Sequence, residues 1–288
     1  MSAPSIAACL LALGASPAED ALGVNIDFHR SWASHLIFVD AMMRSRAWIP
    51  FVPGSEVWDS GAPVPTGPRG YPKRVPFTPP EGGPPQRVRT LIFDGLEGRY
   101  PGGTYTLDIT GEGEVAISGD TEPRVLGAGR HAIDVRPGDA GLQLEIRRSA
   151  PDDPIRDLHL WLPGFADAES LIHPEMVTRL GGFSVIRPCQ TMSVNGGDYP
   201  CDNGVGPADP SCVQSWPSRP RPAFFTQGTG QGVAIEHLID LANAAGTDLW
   251  PGIPHAADDG WVRGLAEAIR ERLEPGRTLR VMPPMGRF

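Results

Sequence analysis

Polar and aromatic side chains follow three apolar runs that have the length of buried strands. They are Asp27 and Trp32 after "GVNI", Arg187 and Asn195 after "FSVI", and His255 and Asp258 after "LWPGI". Carboxylate and guanidinium groups hydrogen-bond sugar hydroxyls, while an indole ring stacks on the apolar face of a pyranose. In α/β proteins the ligand sits at the carboxyl ends of the parallel strands. The sequence therefore predicts a substrate-binding site for a sugar, built from these six residues.

Each candidate also has a purely structural role open to it. Asp27 is equally suited to bonding the backbone of its own loop, and Trp32 is equally suited to core packing. His255 follows a proline and is able to bond a neighbouring loop, while Asp258 is better suited to capping the helix that follows. Arg187 is the strongest candidate, because a charge placed directly after a buried apolar strand needs a partner.

Other kinds of site are poorly supported by the sequence. It contains no Gly-x-Ser-x-Gly motif for an acyl-transfer serine. Glu236 and His237 lack the second histidine of a zinc-protease helix. The Gly-rich run "GTGQG" at residues 228–232 has no strand before it, so it indicates a loop tip and not a phosphate site. No cofactor and no metal ion are predicted.

The cysteines favour a disulfide over a metal site. Cys189, Cys201 and Cys212 lie in one loop-rich stretch, and Cys9 lies near the start of the chain. Their spacing does not match the C-x-x-C pairs of a metal site. A loop disulfide, such as Cys201 with Cys212, fits an exported protein better, and the pairing itself stays open. Cys189 as a nucleophile would need a positioned histidine that the sequence does not indicate.

The elements that would hold the site change in kind along the chain. Residues 22–26 are typical of a strand and the apolar spacing over residues 36–46 predicts a helix, so residues 19–50 form a first β/α unit. Residues 51–86 are rich in proline and glycine and predict an extended connector at the surface. Residues 87–150 alternate apolar and polar positions between Gly-rich turns, which predicts an inserted antiparallel β-sandwich module.

Strands and helices alternate again in residues 151–288. The strands are predicted at "DLHLWLPG", "FSVIRP", "LWPGIPH" and "TLRVM", and the helices at "HPEMVTRLGG", "GVAIEHLIDLANAAGTD" and residues 259–274. The last helix carries an apolar stripe made of Val262, Leu265, Ala266, Ile269 and Leu273. This alternation predicts an α/β fold with a parallel sheet covered on both faces. A (β/α)₈ barrel and an open doubly wound sheet both satisfy it.

Composition and charge exclude some partners. The net charge is −9 and there is no run of basic residues, which argues against binding nucleic acid. No stretch is long and apolar enough to cross a bilayer, so no membrane partner is expected. Residues 1–18 have the short apolar core and small residues of a signal peptide, without its basic start, and an ordinary buried segment is the alternative. A secreted or periplasmic location is the resulting expectation, and the oligomeric state stays open.

Three segments of the chain carry a family resemblance, namely "LGVNIDFHRSWASHLIFVDAMMRSRAWIP", "FSVIRP" and "GVAIEHLIDLANAAGTDLWPGIPHAADDGWVRGLAEAIRERLEPG". Together they resemble bacterial (β/α)₈ proteins of the clan-A glycoside-hydrolase type, some of them labelled cellulose-binding. The resemblance implies barrel strands at "GVNI", "FSVIR", "LWPGIPH" and "TLRVM", with "DLHLWLPG" belonging to the insert or its exit. It also implies that Arg187 matches the arginine that steadies the catalytic nucleophile, and that His255 matches a polar group of the substrate site.

The chain departs from this family after the fourth implied strand. Relatives continue there into a Ser-Asn-Glu-like motif whose glutamate is the general acid/base, and their nucleophile comes later. Here the sequence reads "TLRVMPPMGRF". Hydrolysis by two carboxylates needs both groups. The resemblance therefore implies the N-terminal part of a TIM-type barrel with an inserted β-sandwich, truncated before its catalytic residues and inactive alone.

Two other functional hypotheses stay open at this point. One is a non-catalytic carbohydrate-binding protein, in which the module recognises an oligo- or polysaccharide. Its sugar-binding face would need exposed aromatic rings, and the module offers only Phe93, Tyr100 and Tyr105, which counts against it. The other is a complete α/β protein of another class. For the glycoside-hydrolase-like hypothesis and for the carbohydrate-binding hypothesis, the expected partner is an oligo- or polysaccharide.

Overall fold

The computed structural model describes residues 22–194, 201–204, 206, 209 and 211–282. The candidate signal segment at residues 1–18, Cys9 and the candidate ligand Asn195 lie outside the described residues. Two hydrophobic cores organise the described chain. One fills a body made of antiparallel sheets, and the other surrounds a small parallel sheet.

The first strand of the described chain is β1 (Gly23–Asn25), as the sequence predicts. The helix predicted over residues 36–46 is wrong, because only a single 3-10 turn forms there, at Ala41–Arg44. The preceding main chain is extended instead. Val39 N donates to Leu171 O at 2.9 Å, and His173 N donates to Ile37 O at 2.8 Å. The β-branched Ile37 and Val39 are fully buried by this pairing, so tertiary contacts override the helical spacing.

Eight strands follow and form two antiparallel sheets. They are β2 (Ile49–Phe51), β3 (Arg87–Ile92), β4 (Gly103–Thr110), β5 (Gly113–Gly119), β6 (Arg124–Leu126), β7 (Gly129–Val135), β8 (Leu142–Ser149) and β9 (Arg156–Trp161). The larger sheet has the order β2-β3-β8-β5-β6, and the smaller has the order β7-β4-β9. Alternate residues of both sheets enter one shared core, as expected for sheets packed face to face.

The body of two sheets extends beyond the module boundaries predicted at residues 87 and 150. β9 pairs with β4 at Asp108↔His159, so it belongs to the module and not to the following β/α units. β2 pairs with β3 and brings part of the first predicted unit into the same sheet. The connector runs extended against this body, and it buries Tyr71, Val75 and Phe77.

The second half of the chain alternates helices with strands. The elements are α1 (Pro174–Leu180), β10 (Val185–Arg187), α2 (Ile235–Ala245), β11 (Asp248–Leu249) and α3 (Asp259–Arg272). Helix α2 ends at Gly246, whose left-handed backbone (φ 72°) suits glycine. In α3, Leu265 and Ile269 are buried as predicted, but Val262 and Ala266 are exposed and Trp261 fills the core instead.

The parallel sheet has the order β1-β10-β11, with Val24 opposite Ile186 and Ile186 opposite Leu249. Leu279 and Met282 lie next along, where they form parallel bridges to Leu249 and Gly252. Neighbours in this sheet therefore follow chain order. Within the described ranges the sheet does not close on itself, and the (β/α)₈ class stays a prediction.

A search of the described helices finds none with the length and apolarity that a membrane crossing requires.

Candidate functional site

A cleft of about 350 Å³ opens at the carboxyl ends of β1 and β10. Its lining combines one guanidinium group, two side-chain amides, a hydroxyl, a thiol and two apolar side chains, which belong to Asn25, Phe28, Arg187, Cys189, Gln190, Ser193 and Val194. The position agrees with the rule that α/β proteins bind ligands beyond the carboxyl ends of their strands.

Arg187 is the last residue of β10 and its guanidinium group is held by residues from neighbouring strands. Nη1 donates to Asn25 Oδ1 at 3.3 Å, at the end of β1. Nη2 contacts Met282 Sδ at 2.8 Å, and the guanidinium carbon lies 5.3 Å from the ring centroid of Trp250. The group makes no ion pair with any carboxylate of the described chain, and its buried Nε has no hydrogen-bond partner there. These neutral contacts orient Arg187 and leave its positive charge available to a ligand.

A tight turn at residues 189–194 forms one wall of the cleft. Thr191 Oγ1 donates to Ile26 O at 2.9 Å and to Asp27 O at 2.8 Å, which ties the turn to the end of β1. Ser193 has positive φ (54°), and its hydroxyl accepts a 3.1 Å hydrogen bond from Arg30 Nη2. The turn therefore places a hydroxyl group and a second cation beside the cleft.

Cys189 presents a buried thiol to this cleft. Burial raises the pKa of the Cys189 thiol, and the nearby Arg187 guanidinium opposes this rise only in part. The protonated thiol is a poor nucleophile. Packing around the sulfur is close, since a Cβ atom on Gly252 would lie 3.0 Å from Sγ. The structure assigns Cys189 a packing role, and it pairs Cys201 with Cys212 as a disulfide.

Of the five predicted ligands that the structure describes, Arg187 alone lines the cleft. Asp27 is exposed and its carboxylate accepts a hydrogen bond from Phe28 N at 2.7 Å, which is the local loop role. Asp258 caps α3 by accepting from Trp261 N at 2.6 Å. The prediction that these two residues bind substrate has no support in the cleft geometry.

The remaining predicted ligands lie around the site or outside the described chain. His255 contacts the far side of the turn, where its Nδ1 lies 3.5 Å from Val194 O. Trp32 is half exposed near Gly95 of the β-module, so it is neither core nor cleft. Asn195 lies outside the described residues.

The sequence placed Asn25 and Gln190 among the polar residues that follow the strands, and both line the cleft, but Phe28, Ser193 and Val194 were missed as lining residues. The rule that ligands bind at the carboxyl ends of strands identifies the residues that directly follow a strand. It does not identify residues of a later turn that folds back over the strand end, as residues 189–194 do. The signal for Phe28 was its place in "NIDFHR", three residues beyond β1. The signal for Ser193 was a small polar residue in the loop that follows Arg187.

A second group of polar side chains lies beneath the loop that joins β1 to the 3-10 turn. His29 is fully buried, its Nε2 donates to Met43 O at 3.1 Å, and its ring centroid lies 6.2 Å from that of His35. The Arg44 guanidinium group donates to Ala33 O and lies 4.6 Å from the Phe93 ring centroid. Burial lowers the pKa of His29 well below its usual value, and Arg44 lowers it further. Burial also lowers the pKa of Arg44 to about 10. His29 and Arg44 are closed to solvent and His35 is partly buried, which indicates a structural role for His29 and Arg44.

Among the residues that the structure describes, no three potential metal ligands come together.

Comparisons with known proteins found a distant structural similarity and no sequence match. No family model matches it, and no curated protein matches it. One solved structure, a β-glucosidase from Kluyveromyces marxianus in complex with glucose, is similar at 10% identity and a TM-score of 0.25. The match covers 68% of this chain and 24% of that one, so the chain spans about a quarter of the enzyme's length. A likeness this distant carries no conclusion about fold or activity.

Proposed function

We propose that this chain is a polysaccharide-directed protein that binds a sugar residue in the cleft at the ends of β1 and β10. The observation that carries the proposal is the position of Arg187. Its guanidinium group is oriented by neutral contacts, faces an open cleft, and has no carboxylate partner in the described chain. A cation held in this way is prepared to donate hydrogen bonds to a ligand.

The other lining groups complement a sugar. Asn25 and Gln190 each offer an amide that both donates and accepts, and Ser193 offers a hydroxyl group with the same versatility. Phe28 and Val194 supply apolar surface for the C–H face of a pyranose ring. The volume of about 350 Å³ lies at the lower end of the range for small-ligand sites, roughly 300–1,000 Å³.

Our proposal concerns binding and not hydrolysis. Hydrolysis by two carboxylates requires two carboxyl groups on either side of the scissile bond. The groups that line this cleft are guanidinium, amide, hydroxyl, thiol and apolar groups. The wider proposal of a glycoside-hydrolase-like barrel is supported by parallel strands that follow chain order with helices between them.

The proposed export of the protein has one structural support. Cys201 and Cys212 are disulfide-bonded, and such bonds persist chiefly in oxidising compartments.

The alternative in which the β-module binds sugar gains no support from Phe93, Tyr100 and Tyr105. Phe93 and Tyr105 are almost completely buried, and Tyr100 is 9% exposed. Phe93 and Tyr100 stack on each other with ring centroids 4.4 Å apart. All three belong to the core of the module and present no ring face to a ligand.

The proposal is tested by isothermal titration of the purified chain with neutral hexasaccharides of glucose, xylose and mannose. We expect one of them to bind, and we expect Arg187→Ala to weaken binding at least tenfold, because a charge-assisted hydrogen bond contributes roughly 1.5–3 kcal/mol. Arg270→Ala is the matched control, since Arg270 lies exposed on α3. If no oligosaccharide binds, or if Arg187→Ala binds as tightly as wild type, the cleft is not the sugar site.

A further inference from the structure

An exposed tryptophan of the connector stacks on an arginine side chain of the larger sheet. The guanidinium carbon of Arg89, on β3, lies 3.4 Å from the ring centroid of Trp58 and 4.2 Å from that of Phe51. Arg89 Nη2 also donates to the main-chain oxygen of Trp58. Since Trp58 is 48% exposed and one ring face rests on Arg89, the opposite face is open to solvent.

The segment that carries Trp58 is hydrogen-bonded to strand β2 and to the residue that precedes β3. Ser60 N donates to Pro50 O at 3.0 Å, and Ser60 Oγ donates to Gln86 Oε1 at 2.7 Å. The indole is therefore fixed by stacking, by its own main chain and by its neighbour. A flat ring fixed in advance loses little conformational freedom when a ligand stacks on it.

Positive charge borders this ring. Arg87 and Arg89 are two residues apart on β3 and lie on the same face of the sheet, and Arg147 lies on the neighbouring strand β8. Arg87 and Arg147 share one carboxylate, Glu145, at 3.0 and 3.5 Å. Glu145 is largely buried, whereas its two partners are about a third exposed or more. Asp59 is the other carboxylate that acts on Arg89. Among the groups joined by these contacts, three guanidinium groups face two carboxylates, which leaves an excess of one positive charge on a chain whose net charge is −9.

We infer that Trp58 is a stacking platform for a pyranose ring of an acidic polysaccharide, whose uronate carboxylates pair with the partly exposed side chains of Arg87 and Arg147. The apolar face of the sugar covers the open indole face. Guanidinium groups recognise carboxylates through paired hydrogen bonds. The inference rests on the proposed function, because it takes the chain to be directed at polysaccharides, and it names a second contact and the class of sugar.

The test is titration of the purified chain with hexagalacturonate in 20 mM and in 300 mM NaCl. We expect binding that weakens at the higher salt, because exposed charges contribute to it. Trp58→Ala should weaken binding about fivefold or more, and Trp58→Phe should retain part of it because a ring remains. Arg147→Gln should reduce the preference for the acidic hexamer over the neutral hexasaccharides. Arg270→Ala, far along the chain on α3, should leave all values unchanged.

The outcomes separate this inference from the cleft proposal. If Trp58→Ala weakens binding and Arg187→Ala does not, the platform is supported and the cleft is not. If only Arg187→Ala weakens binding, the platform is overturned and the cleft survives. If the acidic and neutral hexamers bind equally, or if salt has no effect, the assignment to acidic sugars is wrong. If no sugar binds to the wild-type chain, both proposals fail.

Discussion

Asp40 accepts a hydrogen bond of 2.7 Å from His159 Nδ1, although the two residues lie 119 positions apart in the chain. The other carboxylate oxygen of Asp40 accepts from Met42 N and from Leu160 N, both at 2.9 Å. One buried carboxylate thus starts the 3-10 turn and joins it to β9. The sequence between β1 and the connector is attached to the β-module through this residue.

The pairing of His159 with Asp40 should make stability depend on pH. The hydrogen bond to Asp40 raises the pKa of His159 above its usual value. The contribution of protonated His159 is therefore fully present below the unfolded pKa of about 6.5 and is lost as the pH rises through the folded pKa. We expect His159→Gln to lower the free energy of unfolding more at pH 5.5 than at pH 8.5, measured by urea denaturation. His131→Gln, on the exposed side of β7, is the control, and an equal loss at both pH values would contradict the prediction.

His29 and His35 should make the stability depend on pH in the opposite direction. Burial is the main cause that lowers the pKa of His29 and of His35, and Arg44 adds to it in both. The unfolded chain then binds protons that the folded chain excludes, so stability falls as the pH drops below about 6.5. We expect His35→Gln to reduce this loss between pH 7 and pH 5. The comparison is made in a His159→Gln background, which removes the opposing effect. An unchanged slope of unfolding free energy against pH would count against it.

Gly264 on α3 should not tolerate alanine, although alanine favours helices. A Cβ atom there would lie 2.2 Å from Cδ2 of Trp216, whose ring packs at 79° to Trp261. The clash should cost roughly 1–3 kcal/mol, which exceeds the gain of about 1 kcal/mol in helix propensity. Thermal and urea denaturation measure the result. Ala266→Gly, exposed on the same helix, should lose only the propensity term of about 1 kcal/mol. A Gly264→Ala variant more stable than wild type would show that Trp216 does not pack there.

Asp258 should act as a helix cap and not as a ligand. Replacing it with alanine removes the hydrogen bond to Trp261 N, which should lower the free energy of unfolding by about 1 kcal/mol. Sugar affinity, measured by the same titration as for Arg187, should stay unchanged. Asp259→Ala, one residue later in the first turn, should cost only a few tenths of a kcal/mol. Loss of sugar binding without loss of stability would restore the ligand role to Asp258.

The reactivity of the cysteines tests the turn at residues 189–194 and the disulfide between Cys201 and Cys212. In denaturant without a reducing agent, a maleimide should modify Cys189, whereas Cys201 and Cys212 should react only after reduction. In the native chain Cys189 should react slowly, because it is 8% exposed and burial raises the pKa of its thiol. Mass spectrometry of the labelled peptides measures both results. Rapid modification of native Cys189 would mean that the cleft wall opens in solution.

Much of the regular structure could be predicted from sequence because local signals and packing agree. The alternation of Leu142, Leu144 and Ile146 gives β8, and Gly246 gives the end of α2. The prediction of a helix at residues 36–46 was wrong because the apolar residues of this segment are divided between the two hydrophobic cores. The main chain is extended there and pairs with residues 171–173, although the apolar spacing is helical. Val262 failed because a larger neighbour, Trp261, occupies the core.

The site was predicted only in part, since a cleft depends on how turns fold back. The end of β10 identified Arg187, because a charge after a buried strand is visible in the sequence. The sequence could not decide whether Asp27 and Asp258 bind a ligand or the local main chain. A carboxylate beside free N–H groups is suited to either role, and only the structure shows that it accepts from the main chain. Trp58 escaped notice because its platform is created by Arg89, a residue from a different element.

The pairing of β1 with β10 has a consequence for synthesis on the ribosome. Asn25 and Arg187 lie opposite each other in the sheet and 162 positions apart in the chain. At elongation rates of roughly 5–20 residues per second, β1 waits on the order of 10–30 seconds for its neighbour to be made. All eight strands of the two antiparallel sheets are synthesised within that interval. The nascent chain therefore has the material for the β-module well before the parallel sheet can begin, which sets the order in which the two cores are assembled.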